Sequence, residues 1–354
     1  MTATLKLNIE RVLTSRLTAT DLENLPFGMV YTDHMFMCDF ENGRWQNARI
    51  IPFSYLPMSP ASPAIHYGQS IFEGMKAHRS KNDEILLFRP HDHWKRLNIS
   101  AERMCMPLLP ENIFMDGLRE LISLDRDWVP AKEGSSLYIR PFMFSADEYI
   151  GIRPSQRFTF MIILSPTAAY YAAPVRVKIE EHYTRAVAGG TGFAKAGGNY
   201  GGAIYPAKLA QDQGFQQLIW TDGKEHRYIE ESGTMNVMFV VDDVLITPAL
   251  SDSILAGITR DSVLTLARSW DMNVEERKIE VSEIIDAARS NRLKEAFGVG
   301  TAARIAPISA IGFREEVFDL PPVETRTFSQ KVVKALTAIQ YGAATDDRDW
   351  IWRI

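Results

Sequence analysis

Apolar and polar residues alternate with a period of two along residues 29–40, 74–78 and 86–88, which predicts half-buried strands. The spacing changes to that of a helix over 91–104 and 112–124, then returns to β-type runs at 136–144 and 157–164. Pro166 and the alanine-rich stretch 168–174 punctuate the chain, and a domain boundary is expected there. Beyond it, 175–180 reads as a strand and 189–202 as a glycine-rich segment. Four short runs, 216–221, 226–231, 236–241 and 244–247, predict a β-meander, with Asp222-Gly223 and Asp242-Asp243 supplying turns. Val263, Leu264, Ala267 and Trp270 share one helical face, as do Val332, Val333, Leu336 and Ile339. The expectation is a mixed α/β protein of two domains, 1–170 (with a short, loosely ordered leader at 1–24) and 177–354, joined by a linker at 171–176.

Composition narrows the function without naming it. The chain has 354 residues, 46% hydrophobic and 23% charged, the balance of a globular protein with a full core. The net charge of −5 is spread without long runs of one sign, so neither nucleic acid nor an anionic membrane is the expected partner. A small molecule is. Two cysteines, Cys38 and Cys105, form no CxxC pair, which argues against a disulfide framework and a zinc site. The longest apolar run, around 160–164, is far shorter than the ~20 residues of a membrane span. Lys6, Arg11 and Arg16 among Ser and Thr faintly resemble a transit peptide, but Glu10 and the missing apolar core favour a cytoplasmic protein.

Several residues can carry chemistry. Lys195 lies among glycines that permit close approach of a ligand, although taken alone it reads as a solvated loop lysine. A lysine that condenses with a carbonyl cofactor needs an anion clamp and an acid for the cofactor ring. Backbone N–H groups near Ile258 and Thr259, at the start of a predicted helix, can bind phosphate; the plain alternative is a Thr N-cap. Arg96 can bind the same group in bidentate fashion, or be an ordinary surface arginine. Glu231 follows Glu230 at a strand end, where alternation allows one of the two to face a ligand. Thr301 and Ala302 follow an apolar strand and offer hydroxyl and N–H groups to an anion. Tyr67, Phe72, Tyr138 and Tyr170 stand in strands or strand ends as pocket wall or core, and Arg140, inside an apolar strand, must reach solvent or an anion. His66, His91 and His93 lack a nucleophilic Ser or Cys in a recognisable motif, so a hydrolase triad has little support.

Together these segments resemble branched-chain amino acid aminotransferases, and the longer, eukaryote-like form most closely. The likeness rests on Thr32-Asp-His-Met-Phe36, His66-Tyr-Gly-Gln-Ser-Ile-Phe-Glu-Gly-Met-Lys-Ala77, Phe88-Arg-Pro90, Tyr138-Ile-Arg-Pro141, Lys195-Ala-Gly-Gly-Asn-Tyr200, Glu231-Ser-Gly-Thr-Met-Asn236, Leu255-Ala-Gly-Ile-Thr-Arg260 and Gly300-Thr-Ala302, in the family's order and over nearly the whole chain. The resemblance implies the fold-type IV architecture of pyridoxal-phosphate enzymes, with a smaller N-terminal domain, a larger C-terminal domain and a homodimer. It implies ping-pong exchange of amino groups between Leu, Ile or Val and 2-oxoglutarate.

By motif, Lys195 becomes the Schiff-base lysine, Glu231 the partner of the pyridine nitrogen and Tyr200 that of the ring hydroxyl. Arg96, Ile258, Thr259 and Thr301 become the phosphate ligands. Thr234 and Ala302 match substrate-carboxylate positions, Tyr67, Phe72, Tyr138 and Tyr170 wall the side-chain pocket, and Arg140 receives the distal carboxylate of glutamate. A D-amino acid aminotransferase or aminodeoxychorismate lyase of the same fold is the nearest alternative; a non-catalytic phosphate-ligand binder is one of another class. Two departures stand out: Ala303 and Ala306 occupy the place of a CxxC thiol pair in mammalian members, and Pro206 falls where a helix capped by Asn199 would have its interior, so that helix is expected to start later or kink.

Overall fold

The computed structural model describes residues 5–22, 25–132, 134–167, 173–302 and 304–354. The chain divides into two compact units: Met1–Tyr170 with Ala194–Gly198 and Thr337–Ile354, and Tyr171–Phe193 with Asn199–Leu336.

The first unit is built on a nine-stranded sheet. Its path runs Asn8–Ile9, Arg44–Pro52, His34–Glu41, Phe158–Thr167, Ser136–Ser145, Met75–Arg79, Ile85–Phe88 and Ile351–Arg353, while the short strand Ser70–Phe72 pairs with Ser136–Ser145. Alternation along His34–Glu41 sorts its side chains: Phe36 and Cys38 enter the main core, Met35 and Met37 a smaller cluster with Met161. Helices Pro90–Arg103 and Glu111–Leu124 contribute Leu97, Ala101, Phe114, Leu118, Leu121 and Ile122 to that main core. Each buried Phe or Leu there contributes about 2 kcal/mol of transfer free energy.

The residues expected to form a loose leader are tied down from 5 to 22. Asn8–Ile9 pairs with Arg49 and Ile50, and the Val12 N–H donates to His34 Nε2 at 3.0 Å. Asp33 accepts from Ser15 Oγ (2.5 Å), the Arg16 N–H (2.8 Å) and Trp128 Nε1 (2.9 Å). These tertiary hydrogen bonds override the polar composition that suggested disorder.

In the second unit the strands Ile229–Ser232, Gln217–Thr221, Val175–Ile179, Arg304–Phe313, Leu293–Gly300 and Met235–Val241 form a closed ring, because the first also pairs with the last. Val244–Pro248 and Asn273–Arg277 extend the sheet, and Glu316–Asp319 pairs with Arg304–Phe313. Closure explains why every residue of Met235–Val241 is buried where alternation would expose half of them. Helix Val281–Arg289 supplies Val281, Ile284, Ile285 and Ala287 to the core, and helix Ile258–Ser269 buries Val263, Leu264, Leu266 and Ala267.

The β-meander stands as expected. Helix Val281–Arg289 and strands Arg44–Pro52 and Arg304–Phe313 escape the periodicity of the sequence. Val333, grouped with an apolar face by its spacing, is exposed, whereas Val332, Leu336 and Ile339 are buried. The segment after Lys195 breaks into Gly198–Gly201 and Ile204–Asp212, which places Pro206 in a first turn where its missing N–H costs little. Asn199 does not cap that helix; its amide bonds back to Thr191, whose hydroxyl donates to Asn199 Oδ1 at 2.6 Å.

Candidate active site

Lys195 belongs to the first unit and is sewn to two of its elements. Its carbonyl accepts from the Phe72 N–H (3.1 Å) and its own N–H donates to Ser100 Oγ (2.9 Å), while the Gly197 N–H donates to the Ser70 carbonyl (3.0 Å). A Cβ on Gly197 would stand 2.6 Å from Ser70 Oγ, so the glycine permits this approach. The Lys195 ammonium lies 4.6 Å from the Phe72 ring centroid, a cation–π contact.

His93, Arg96 and Ser100 share one face of helix Pro90–Arg103 at spacings of three and seven, and all are buried. Arg96 is therefore no surface arginine. Its Nε and Nη2 donate to the two oxygens of Glu73 at 2.7 and 2.8 Å, and His93 Nδ1 meets the same carboxylate at 2.7 Å. Burial alone would push the Glu73 carboxyl up; Arg96 and, after it, His93 reverse this and hold it well below the usual carboxylate range. Burial keeps His93 below its ordinary value against the pull of Glu73, so it is neutral at neutral pH and its Nδ1–H points at the carboxylate. Glu73, His93 and Ser100 had no assigned role from sequence, although Glu73 sits inside one of the motifs that carry the family resemblance.

Arg140 is half-buried and, among the described residues, packs on aromatic rings rather than on a carboxylate. Its guanidinium stacks 4.6 Å from the Phe72 centroid and 5.3 Å from that of Tyr138, and its Nη2 donates to the Tyr138 hydroxyl at 2.8 Å. Arg140 Nε is buried without a hydrogen-bond partner, an orphaned donor suited to an arriving acceptor. The Tyr138 hydroxyl packs so closely on Gly74 that a Cβ there would lie 2.2 Å away. Tyr67, expected in or beside a strand, ends the short helix Pro63–Tyr67 and is partly exposed. Tyr170 lies outside the described residues, as does Ala303.

In the second unit Glu231 is 3% exposed and surrounded by donors. Its Oε1 accepts from the Leu255 N–H (2.7 Å) and Asn236 Nδ2 (3.3 Å), and Arg185 Nε stands 3.2 Å from Oε2. This set complements a negative carboxylate, the form needed beside a protonated ring nitrogen. Glu230 is buried too, although strict alternation would put it on the face opposite Glu231. Trp220 pairs with Glu231 and Thr221 with Ile229, so Glu230 is the extra residue of a β-bulge and is re-aimed inward. It accepts from Ser253 Oγ, yet burial foremost pushes its carboxyl up.

Thr234, Ile258, Thr259, Thr301 and Ala302 lie toward one end of the closed sheet. Asn236 pairs with Val299, so the Gly233-Thr234 turn and the Thr301-Ala302 turn share that end. Gly257, not Thr259, is the N-cap of helix Ile258–Ser269 and offers no side-chain cap; a Cβ on it would lie 1.9 Å from Asn236 Oδ1. Ile258 and Thr259 thus open a 12-residue helix whose positive end suits a phosphate. Tyr200 sits on the short helix Gly198–Gly201. Within the second unit, the helix start at Ile258 and the donor-surrounded Glu231 carboxylate suit an anionic, ring-bearing cofactor.

The chain matches the family model described as amino-transferase class IV over residues 70–311. It is 43% identical over 334 residues to branched-chain-amino-acid aminotransferase 2 of Bacillus subtilis, covering 93% of this chain and 92% of that one. Among solved structures it is similar to the branched-chain aminotransferase of Thermoproteus uzoniensis with norvaline, at 26% identity and a TM-score of 0.73 over 90% of this chain and 99% of that one. The fold also matches the branched-chain amino acid aminotransferase of Thermobaculum terrenum in its PLP-form, at 22% identity and a TM-score of 0.71, covering 91% and 98% of the two chains. A family match across the segments that carry Lys195, Glu231 and Thr301, with a relative of this similarity over almost the full length, leads to one conclusion: the chain is an enzyme of the class IV aminotransferases and belongs with the branched-chain-amino-acid aminotransferases.

Proposed function

We propose that this aminotransferase moves amino groups reversibly between leucine, isoleucine or valine and 2-oxoglutarate, giving branched 2-oxo acids and glutamate, with pyridoxal 5'-phosphate as its resident cofactor. The cofactor supplies a carbonyl carbon that captures amines and a protonated ring that takes up electron density. Lys195 would be the attachment point of that carbon, and its amine would move a proton to and from the substrate α-carbon. Glu231 keeps the ring nitrogen protonated and Tyr200 bonds the ring hydroxyl. Arg96, Thr301 and the helix start at Ile258 and Thr259 bind the phosphate. Thr234 and Ala302 receive the α-carboxylate, and Tyr67, Phe72, Tyr138 and Tyr170 enclose the apolar side chain.

The observation that carries this reading is the fixing of Lys195 by two backbone hydrogen bonds, one of them to Ser100, a helical turn beyond Arg96. Arg140 supports the double specificity: parked on aromatic faces it leaves an apolar wall, and its orphaned Nε suits the distal carboxylate of glutamate. A coupled assay of L-leucine, L-isoleucine, L-valine and D-alanine with 2-oxoglutarate tests the proposal. Turnover of the branched L-amino acids is expected, with a loss of about 10⁴-fold or more in Lys195→Ala. Turnover of D-alanine instead would remove the specificity.

We further propose that the enzyme acts in the cytoplasm as a homodimer. No helix among the described residues is long and apolar enough to cross a membrane. Tyr55, Tyr149, Ile150 and Ile152 are exposed on the first unit, where the Tyr149 N–H bonds to the Ala61 carbonyl and brings two loops together. Large apolar side chains exposed on neighbouring loops favour a second protein surface. Sedimentation velocity is expected to give twice the chain mass of 40.0 kDa; a monomer at micromolar concentration would exclude the dimer.

A further inference from the structure

Charge is unevenly distributed around Phe72. The Lys195 nitrogen and the Arg140 guanidinium each lie 4.6 Å from its ring centroid, and Arg96 stands on the neighbouring helix face. Glu73, the next residue after Phe72, is fully buried with both oxygens committed to Arg96 and one of them to His93 as well. His93 is neutral, so the network holds one carboxylate against the Arg96 cation, with Lys195 and Arg140 adding positive charge nearby.

We infer that Glu73 is a positioning residue that acts electrostatically, fixing the Arg96 fork and supplying the buried negative charge that keeps a proton on the Lys195 nitrogen when that nitrogen is joined to the cofactor. The inference rests on the proposed cofactor and on Lys195 as its attachment point. Six residues of the first unit form the cluster around Phe72: Phe72 and Glu73 at the end of strand Ser70–Phe72, His93 and Arg96 on helix Pro90–Arg103, and Tyr138 and Arg140 on strand Ser136–Ser145. Of these six residues Glu73 alone carries negative charge at neutral pH. The Glu73 backbone is itself pinned, its N–H donating to the Pro141 carbonyl at 2.7 Å, so the carboxylate has little freedom to withdraw. A fixed charge buried as Glu73 is acts in a medium far less screening than water, and its removal is felt as a shift in proton affinity nearby.

The test is a pH titration of the visible absorption band of the pyridoxal-phosphate-loaded protein, for wild type, Glu73→Gln, His93→Gln and Glu73→Asp. Glu73→Gln removes the charge and is expected to lower the midpoint by about one pH unit. His93→Gln breaks a hydrogen bond in the same network without changing its charge, and Glu73→Asp keeps the charge while loosening the fork. Both are expected within about 0.3 unit of wild type. An unmoved midpoint in Glu73→Gln, or an equal fall in His93→Gln or Glu73→Asp, would overturn the inference, because the effect would then be absent or merely structural. Should Glu73→Gln not fold, the other two variants still decide: a lowered midpoint in either contradicts the charge mechanism, and two unmoved midpoints support it. A wild type with no visible band sensitive to Lys195→Ala overturns the functional reading and this inference with it, whereas a normal wild-type band that Glu73→Gln leaves alone overturns only the inference.

Discussion

At the scale of single residues, Arg140 shows how one pocket is proposed to accept side chains of opposite character. A guanidinium in an apolar strand would be costly if left unpaired, yet here two aromatic faces and the Tyr138 hydroxyl hold it in the absence of any anion. The aromatic contacts are exchangeable for a carboxylate at modest cost, because cation–π and charged hydrogen-bond energies are of similar size, about 1–3 kcal/mol. Arg140→Gln is expected to raise KM for glutamate and 2-oxoglutarate by about ten- to a hundredfold and to change KM for leucine by less than about threefold. Steady-state kinetics on both substrates check this; a parallel rise for leucine would mean that Arg140 shapes the pocket as a whole.

At the scale of elements, the signals legible in sequence were those that need only local chemistry. Periodicity located helices Pro90–Arg103 and Glu111–Leu124 of the first unit and the meander of the second, because amphipathic spacing and turn residues act within a few positions. Pro206 foretold a broken helix for the same reason, through its missing N–H. What stayed hidden depended on partners distant in sequence. The strap at 5–22 looked polar and loose, and it is held by His34 and by Asp33, which Trp128 fixes in turn. Glu230 looked solvated, and a bulge turns it inward to Ser253. Arg96 was legible as an anion ligand, but its bond to Glu73 spans 23 positions and leaves no local pattern. The continuous burial of Met235–Val241 follows from ring closure, which no single strand encodes.

At the scale of the whole molecule, hydrogen-bonded carboxylates, some buried and some at the surface, set the dependence of stability on pH. Glu73, Asp33, Asp222 and Glu276 are all lowered from ordinary values of 4.5, 3.8, 3.8 and 4.5, because hydrogen bonds, joined by neighbouring cations at all but Asp222, outweigh the upward push of burial. In each, the unfolded chain binds a proton at a higher pH than the native one, so the stability they contribute is present above about pH 4.5 and is lost as acid is added. His93 acts in the same direction through burial: the unfolded ring takes up a proton below its ordinary 6.5 while the native ring resists, so stability begins to fall there. Glu230 works the other way. Its raised native pKa adds stability below 4.5 that fades as pH rises through the native value, but it is one group against five. The melting temperature is therefore expected to hold near neutral pH, decline gently below about 6.5 and fall steeply below about 4.5. Calorimetry from pH 4 to 8 on wild type and Glu73→Gln checks this. The variant should melt lower at neutral pH, since a buried guanidinium loses its counter-charge, and should lose less on acidification because one of the contributing carboxylates is gone. Parallel curves for the two proteins would mean that the Glu73 network contributes nothing to the acid limb.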